Sequence, residues 1–192
     1  MSEAWTMFGP AVRGRKCGSC TQCCTALPVE LVPGHFKPAN VACEHLCSKG
    51  CGIYAKRPDP CSYWNCQWLI SEDTAGLKRP DISGVIIDSA IDQILADGQQ
   101  VDVIQLWCDP KRPLAYRAPE VLAYLSAMYD KHGLVALVRY ANDICFTFLP
   151  PQVCADGEWH EVRGEMVGEG EVQRRLIAAG DFKSPMVSAS AT

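Results

Sequence analysis

Cysteine dominates the chemistry available to this chain: twelve of its 192 residues are Cys. Nine of the twelve fall in one stretch: Cys17, Cys20, Cys23, Cys24, Cys43, Cys47, Cys51, Cys61 and Cys66. The first group reads Cys17-Gly-Ser-Cys20-Thr-Gln-Cys23-Cys24. Thiolates three residues apart fold back around one centre, because a short loop brings successive Sγ atoms within reach of the same ion or cluster. The same step opens the ligand run of bacterial ferredoxins, but here Cys24 follows Cys23 at once and no Cys-Pro comes three residues later. Adjacent side chains diverge, so Cys23 and Cys24 are open to serving different metals, or one to supporting the other.

The second group is Cys43-Glu-His45-Leu-Cys47, then Cys51, Cys61 and Cys66. Gly50, Gly52, Pro58 and Pro60 set tight, stiff backbone around it. Arg15, Lys16, Lys49, Lys56 and Arg57 lie close in sequence, placed either to offset thiolate charge or simply to face solvent. Phe36, Tyr54, Tyr63, Trp64 and Trp68 are candidates to shield a site from water, or to be the only core this stretch has. His45 reads as a supporting or surface residue rather than a ligand, and His35, His132 and His160 form no constellation. Cys108, Cys145 and Cys154 read as buried or half-buried thiols acting as small hydrophobes.

Bulk composition limits the alternatives. An apolar content of 48% with 21% charged residues describes a globular chain, and a net charge of −4 offers no global basic field for nucleic acid. The opening residues, MSEAWTMFGP, lack the apolar core of a secretory signal, and no apolar run approaches the ~20 residues that span a bilayer. These features predict a cytoplasmic protein without nucleic-acid or membrane partners. In a reducing compartment, so many cysteines point to metal or redox chemistry rather than to a disulfide framework.

At this point the residues match a longer pattern. The run C-x2-C-x2-C-C is followed by Cys43-x-His45-Leu46 and by Cys51-x-Ile53-Tyr54-x2-Arg57-Pro58-x2-Cys61. Trp64-x-Cys66-x-Trp68-Leu69 completes it, and the whole resembles the YkgJ-like cysteine-cluster family, described as a zinc- or iron-chelating domain. The resemblance covers residues 17 to 70. It implies eight metal-binding cysteines: Cys17, Cys20, Cys23, Cys24, Cys43, Cys51, Cys61 and Cys66. Cys47 is extra to the pattern. The family has been labelled iron–sulfur oxidoreductase more from its cysteines than from known chemistry, so the resemblance speaks to a site better than to an activity.

The leading expectation is an iron–sulfur protein in electron transfer or a redox accessory role, working with a protein redox or assembly partner. Eight thiolates would hold two four-ligand centres, or one cluster with further thiols around it. The rival is a zinc-organised, non-enzymatic interaction module, since thiolate suits both metals. Less favoured is a zinc hydrolase, which keeps a water on the metal and mixes in His or carboxylate. Also less favoured are a flagellin-methylase-like enzyme, for which no cofactor loop is present, and thiol–disulfide exchange at Cys17 and Cys20.

Position requires scaffolding. Residues 1–16 read as a lead-in and 17–70 as a cysteine-rich module without sustained helical or strand period. Ordering such a segment costs ~1–2 kcal/mol per residue with few apolar side chains to offset it. A structural metal contributes roughly 10–16 kcal/mol of apparent binding free energy, so the module is expected to be metal-stabilised. Residues 84–150 form a second unit. Gly84 to Asp88 and Val101 to Trp107 read as strands, with Asp97-Gly98 as a turn signal between them. Pro119 to His132 reads as a helix with Val121, Leu122, Leu125, Met128 and Tyr129 on one face and Gly133 as its stop. Val135 to Tyr140 and Ile144 to Leu149 read as a hairpin. The order predicts an α+β fold: an irregular metal-stabilised module beside a small, mostly antiparallel sheet with one main helix. Residues 151–192 read as an extension with a short helix over Glu171 to Ala179 and a frayed end. No dinucleotide fingerprint, P-loop or G-x-S-x-G motif is present.

Overall fold

A computed structural model describes residues 9–96, 99–139, 145–166 and 172–174. The fold has both helices and sheets, as the strand–strand–helix–strand–strand order predicts. The cysteine-rich stretch is built from short pieces: α1 (Gln22–Ala26), the pair β1 (Val29–Val32) and β2 (His35–Lys37), the pair β3 (Leu46–Cys47) and β4 (Gly50–Cys51), α2 (Asp59–Tyr63) and α3 (Gln67–Ile70). The two antiparallel pairs are separate two-stranded sheets. None of these pieces would be stable in isolation, because helix nucleation and a lone hairpin are both unfavourable in water.

The second unit follows α4 (Pro80–Ser83), which stops at Gly84 in the left-handed region (φ +80°). Its strands are β5 (Val85–Ala96), β6 (Gln99–Cys108), β7 (Val135–Arg139), β8 (Cys145–Leu149), β9 (His160–Met166) and β10 (Val172–Arg174). They close on themselves in the order β10-β5-β6-β7-β8-β9. Most pairings are antiparallel, while β6–β7 and β10–β5 are parallel. Helix α5 (Pro119–His132) makes the β6-to-β7 crossover that a parallel pair requires. Its bounds match the sequence reading, with Pro119 at its start, Glu120 in the first turn, and Gly133 (φ +69°) donating its N–H to Tyr129. The fully buried face is Val121, Tyr124, Leu125 and Met128; Leu122 and Tyr129 are half-buried and pack against the first and second apolar clusters, and Tyr124 is the core residue that the sequence reading lacks.

Alternation along the strands explains the sheet's two apolar faces. Val85, Ile87, Ile104, Leu106, Ala136, Val138, Phe146 and Phe148 pack with α5 and with Tyr116, a side chain wholly buried between Phe146 and Phe148. The opposite face carries Ile94, Val103, Val135, Leu137, Leu149 and Val162. Toward one end of that second face, Ile86 and Trp107 pack against Ala26, Leu27 and Ala39 of the cysteine-rich module. The module therefore rests on the β5–β6 end of the sheet.

Three expectations are corrected. The strand read as Gly84 to Asp88 runs on to Ala96, because an irregularity between Ile87 and Ile91 absorbs extra residues and the ladder with β6 then resumes. Residues 172–174 form β10 rather than part of a helix, since β9 and β5 offer ladder partners on both sides. Tertiary pairing overrides local propensity there; the rest of the 171–179 helix lies outside the described residues. Strands β9 and β10 also make the 151–192 segment a contributor to the barrel rather than an appendage. The Asp97-Gly98 turn, the 141–143 turn and the frayed end lie outside the described residues. Among the described residues no helix is long and apolar enough to cross a membrane.

Candidate metal centre

Six short pieces of chain bring the thiols together. Cys17 and Cys20 stand at either end of a turn closed by the Cys20 N–H to the Cys17 carbonyl, 2.9 Å, with Gly18 in the left-handed region (φ +55°). Helix α1 carries Cys23 and Cys24. The Cys43 N–H donates to the Cys24 carbonyl at 2.9 Å, which ties the second cysteine group to the first. Cys51 comes from the β3–β4 turn, where Gly50 has φ +110° and a Cβ would sit 3.4 Å from the Gly18 carbonyl. That glycine lets the turn lie against the Cys17–Cys20 loop. Cys61 sits in α2 behind Pro58 and Pro60, and Cys66 caps α3.

All eight cysteines named by the family pattern line one cavity of about 640 Å³: Cys17, Cys20, Cys23, Cys24, Cys43, Cys51, Cys61 and Cys66. Cys47 is exposed and is not among the lining residues. Cys108 is fully buried in the barrel core, while Cys145 and Cys154 pack half-buried against the second apolar cluster, as small hydrophobes would. Among the described residues no three His, Cys, Asp or Glu side chains are already drawn together as a single-ion site. The thiols surround a volume rather than meet at a point. In donor type and number they fit a thiolate-bound centre.

The electrostatics of the wall favour mixed protonation in the free thiols. Cys23 donates to Cys24, which holds the Cys24 thiol down at about 7, helped by Lys37 and opposed by burial. The same bond, together with burial, pushes Cys23 well above the ordinary thiol range. Burial raises Cys66 to about 12 and also raises Cys17, Cys20 and Cys61, while Arg57 pulls Cys17 and Cys61 back. Lys37 is only 6% exposed and donates to the Pro38 and Val41 carbonyls at 3.1 and 2.8 Å. Burial lowers its own pKa, and the neighbouring thiols Cys43, Cys24, Cys23 and Cys61 raise it again. A metal would complete this balance, since binding deprotonates its thiols and gives the cations charges to face.

The expected cations are thus only partly those found. Arg57 lines the cavity. Arg15 is a structural clamp: it donates to the Trp68 carbonyl, to the Ser71 carbonyl at 2.9 Å and to Thr74 Oγ1 at 2.6 Å, and lies over the Trp68 ring. Lys37, Arg79 and Arg139 lie outside the set of cations that the sequence suggests. Arg79 donates to the Cys17 carbonyl (3.3 Å), Ser19 Oγ (3.2 Å) and both Asp81 oxygens. Of the aromatics, Phe36 and Tyr63 are mostly exposed, so neither shields the site. Trp64 lines the cavity and donates its indole N–H to Asp88 Oδ1 at 2.9 Å, linking module to barrel. Asp88 sits where the β5 ladder is interrupted, and the barrel adds Ile86, Gln105, Trp107 and Arg139 to the cavity wall. His45 also lines the wall, with Nε2 3.8 Å from Glu44.

Comparison with protein-family models, with curated proteins and with solved structures gives no significant match. The family resemblance therefore stands on the sequence pattern of residues 17 to 70 alone.

Proposed function

We propose that this chain holds a thiolate-ligated metal centre in the cavity between its cysteine-rich module and its barrel, and that the centre is an iron–sulfur cluster serving electron transfer or a redox accessory role. One observation carries the reading. Eight cysteines from six short pieces of chain line one cavity, while the four cysteines outside the pattern do not. A random scatter of twelve thiols would not divide that way.

Eight thiols around one cavity are twice the four ligands that a lone tetrahedral ion takes, which supports a polynuclear centre or a pair of centres over a single ion. A cluster, when bound, supplies one-electron transfer. The chain's own residues set its surroundings. Lys37, Arg57 and Arg79 offset the thiolate charge, and Trp64, Trp107 and Ile86 keep one side of the cavity apolar. Cation and solvent access are the levers by which a protein tunes such a potential. The protein partner of this reading would be a redox or assembly partner.

A zinc-organised interaction module remains the second reading, because the donor set is all sulfur and loops of this kind close zinc sites equally well. Metal and acid-labile sulfide are to be measured on protein purified without oxygen, with a visible spectrum of the same sample. Iron with matching sulfide and a broad band that bleaches on reduction is expected. Stoichiometric zinc in a colourless, sulfide-free sample would sink the redox role and leave the zinc module.

A further inference from the structure

The cavity has a second wall that the cysteines do not explain. Strands β6 and β7 run parallel in a register that sets Trp107 beside Arg139. The guanidinium carbon lies 5.5 Å from the Trp107 ring centroid, and both residues line the cavity. Trp107 is 6% exposed. Its indole N–H and the Nε–H of Arg139 are both buried, and neither has a hydrogen-bond acceptor among the described residues. The other polar groups of this wall are engaged. Gln105 donates to Asp92 Oδ2 at 2.7 Å, and Asp88 accepts from Trp64 at 2.9 Å. Among the described residues, what the wall lacks is an acceptor for two neighbouring donors, one of them cationic. Buried donors without partners are rare in native proteins and call for an explanation.

We propose that this wall receives a small organic monoanion, a carboxylate, whose oxygens accept from Arg139 and from the Trp107 indole N–H. The planar guanidinium fork matches a carboxylate, and Ile86 with the indole body gives apolar surface for the organic part. The cavity's 640 Å³ falls in the range of small-molecule sites, roughly 300–1,000 Å³. A single negative charge is favoured over a phosphate dianion because Glu30, Asp88 and the thiols also line the cavity. The site shares its cavity with the proposed metal centre but uses none of the thiols. Trp107 packs in the same apolar cluster as Cys23 and Cys66, so the bound molecule would lie next to the centre.

The test is isothermal calorimetry of benzoate and of its neutral isostere benzamide against the full-length protein, with metal quantified in the same sample. Saturable benzoate binding is expected, with benzamide at least about tenfold weaker, since a charge-assisted bond is worth roughly that factor. Arg139→Gln should weaken benzoate about tenfold or more, and Trp107→Phe, which keeps the apolar body and removes the donor, about threefold. If Arg139→Gln does not fold, Arg139→Lys is measured instead. A loss of about threefold is then expected, because the ammonium keeps the charge without the fork. Equal binding of benzoate and benzamide, no benzoate binding, wild-type affinity in the Arg139 variant, or binding of inorganic phosphate in place of benzoate would each overturn the proposal. A metal-loaded sample that ignores benzoate defeats this inference alone. A metal-free sample that still binds it defeats only the metal reading.

Discussion

The two halves of this molecule are held together by different physics. The barrel and α5 bury two large apolar clusters, with Ile104, Leu106, Val103, Leu137 and Val138 fully excluded from water. The cysteine-rich module owns little of this kind: Ala26, Leu27 and Ala39 are its share of the third cluster, and the rest of that cluster's buried residues come from the barrel. Burial at ~25 cal/mol per Å² can hold the barrel, but it cannot hold a run of two- to five-residue elements whose ordering costs ~1–2 kcal/mol per residue. The module compensates with side-chain clamps such as Arg15 and Arg79, with the rest it takes against Ile86 and Trp107, and, on our account, with metal. One half carries its own stability and the other borrows it, and the proposed site lies where they meet.

Metal removal should therefore separate the halves, and it is the largest effect expected. A structural metal worth roughly 10–16 kcal/mol would leave the module without its main support. Chelation should open residues 17–70 to protease while the barrel fragment survives. Uniform resistance after complete metal removal would break the comparison.

Next in size come point changes on either side of the divide. Leu106→Ala, in the barrel core, should lower unfolding stability by about 2–5 kcal/mol with no change in metal per folded molecule. Cys20→Ser or Cys61→Ser should instead lower bound metal and loosen the module, leaving the barrel's own transition in place. Normal loading in both cysteine variants would sink the eight-ligand assignment. Cys108→Ser sharpens the contrast between cysteines. It buries a hydroxyl in an apolar core at a cost of about 1–3 kcal/mol, yet should leave metal content untouched.

The smallest effect concerns pH. In metal-free protein Cys24 is held down at about 7 by the bond from Cys23, whereas burial holds Cys66 at about 12. Cys24 is depressed below its ordinary value of 9.0, so whatever stability its thiolate adds is present at alkaline pH and lost as pH falls through about 7. Alkylation by iodoacetamide at neutral pH, read by mass spectrometry, should label Cys24 well before Cys66. The reverse order would contradict the bond from Cys23 as the support of the Cys24 thiolate and burial as the brake on Cys66.

How much of this was legible in the sequence differs between the halves. Helix α5 was plain because its signals are local: Pro119, Glu120, the apolar residues Val121, Leu122, Leu125, Met128 and Tyr129, and Gly133; only the place of Tyr124 in the core was missed. The start of β5 and strands β6 to β8 were legible in place, but the continuation of β5 and the closure were not, since closure depends on β10 finding β5 across most of the barrel segment. In the module the spacing of the thiols pointed to a common site, while the groups around them did not announce themselves. Lys37 looks like an ordinary strand lysine until its burial is seen. Arg139 and Trp107 become neighbours only through the β6–β7 register, with α5 between them in the chain. Asp88 faces Trp64 at the point where the β5 ladder is interrupted, a feature with no local sequence mark. Local rules reveal ligands and caps, but residues that meet through long-range register appear only in the fold.

The central claim is that cavity thiols hold a metal, and X-ray absorption at the edge of whatever metal co-purifies tests it most directly. The account predicts a first shell of sulfur alone, at about 2.3 Å, the metal–thiolate distance. A shell dominated by nitrogen or oxygen would contradict it, because the eight cysteines of the cavity would then not be the ligands.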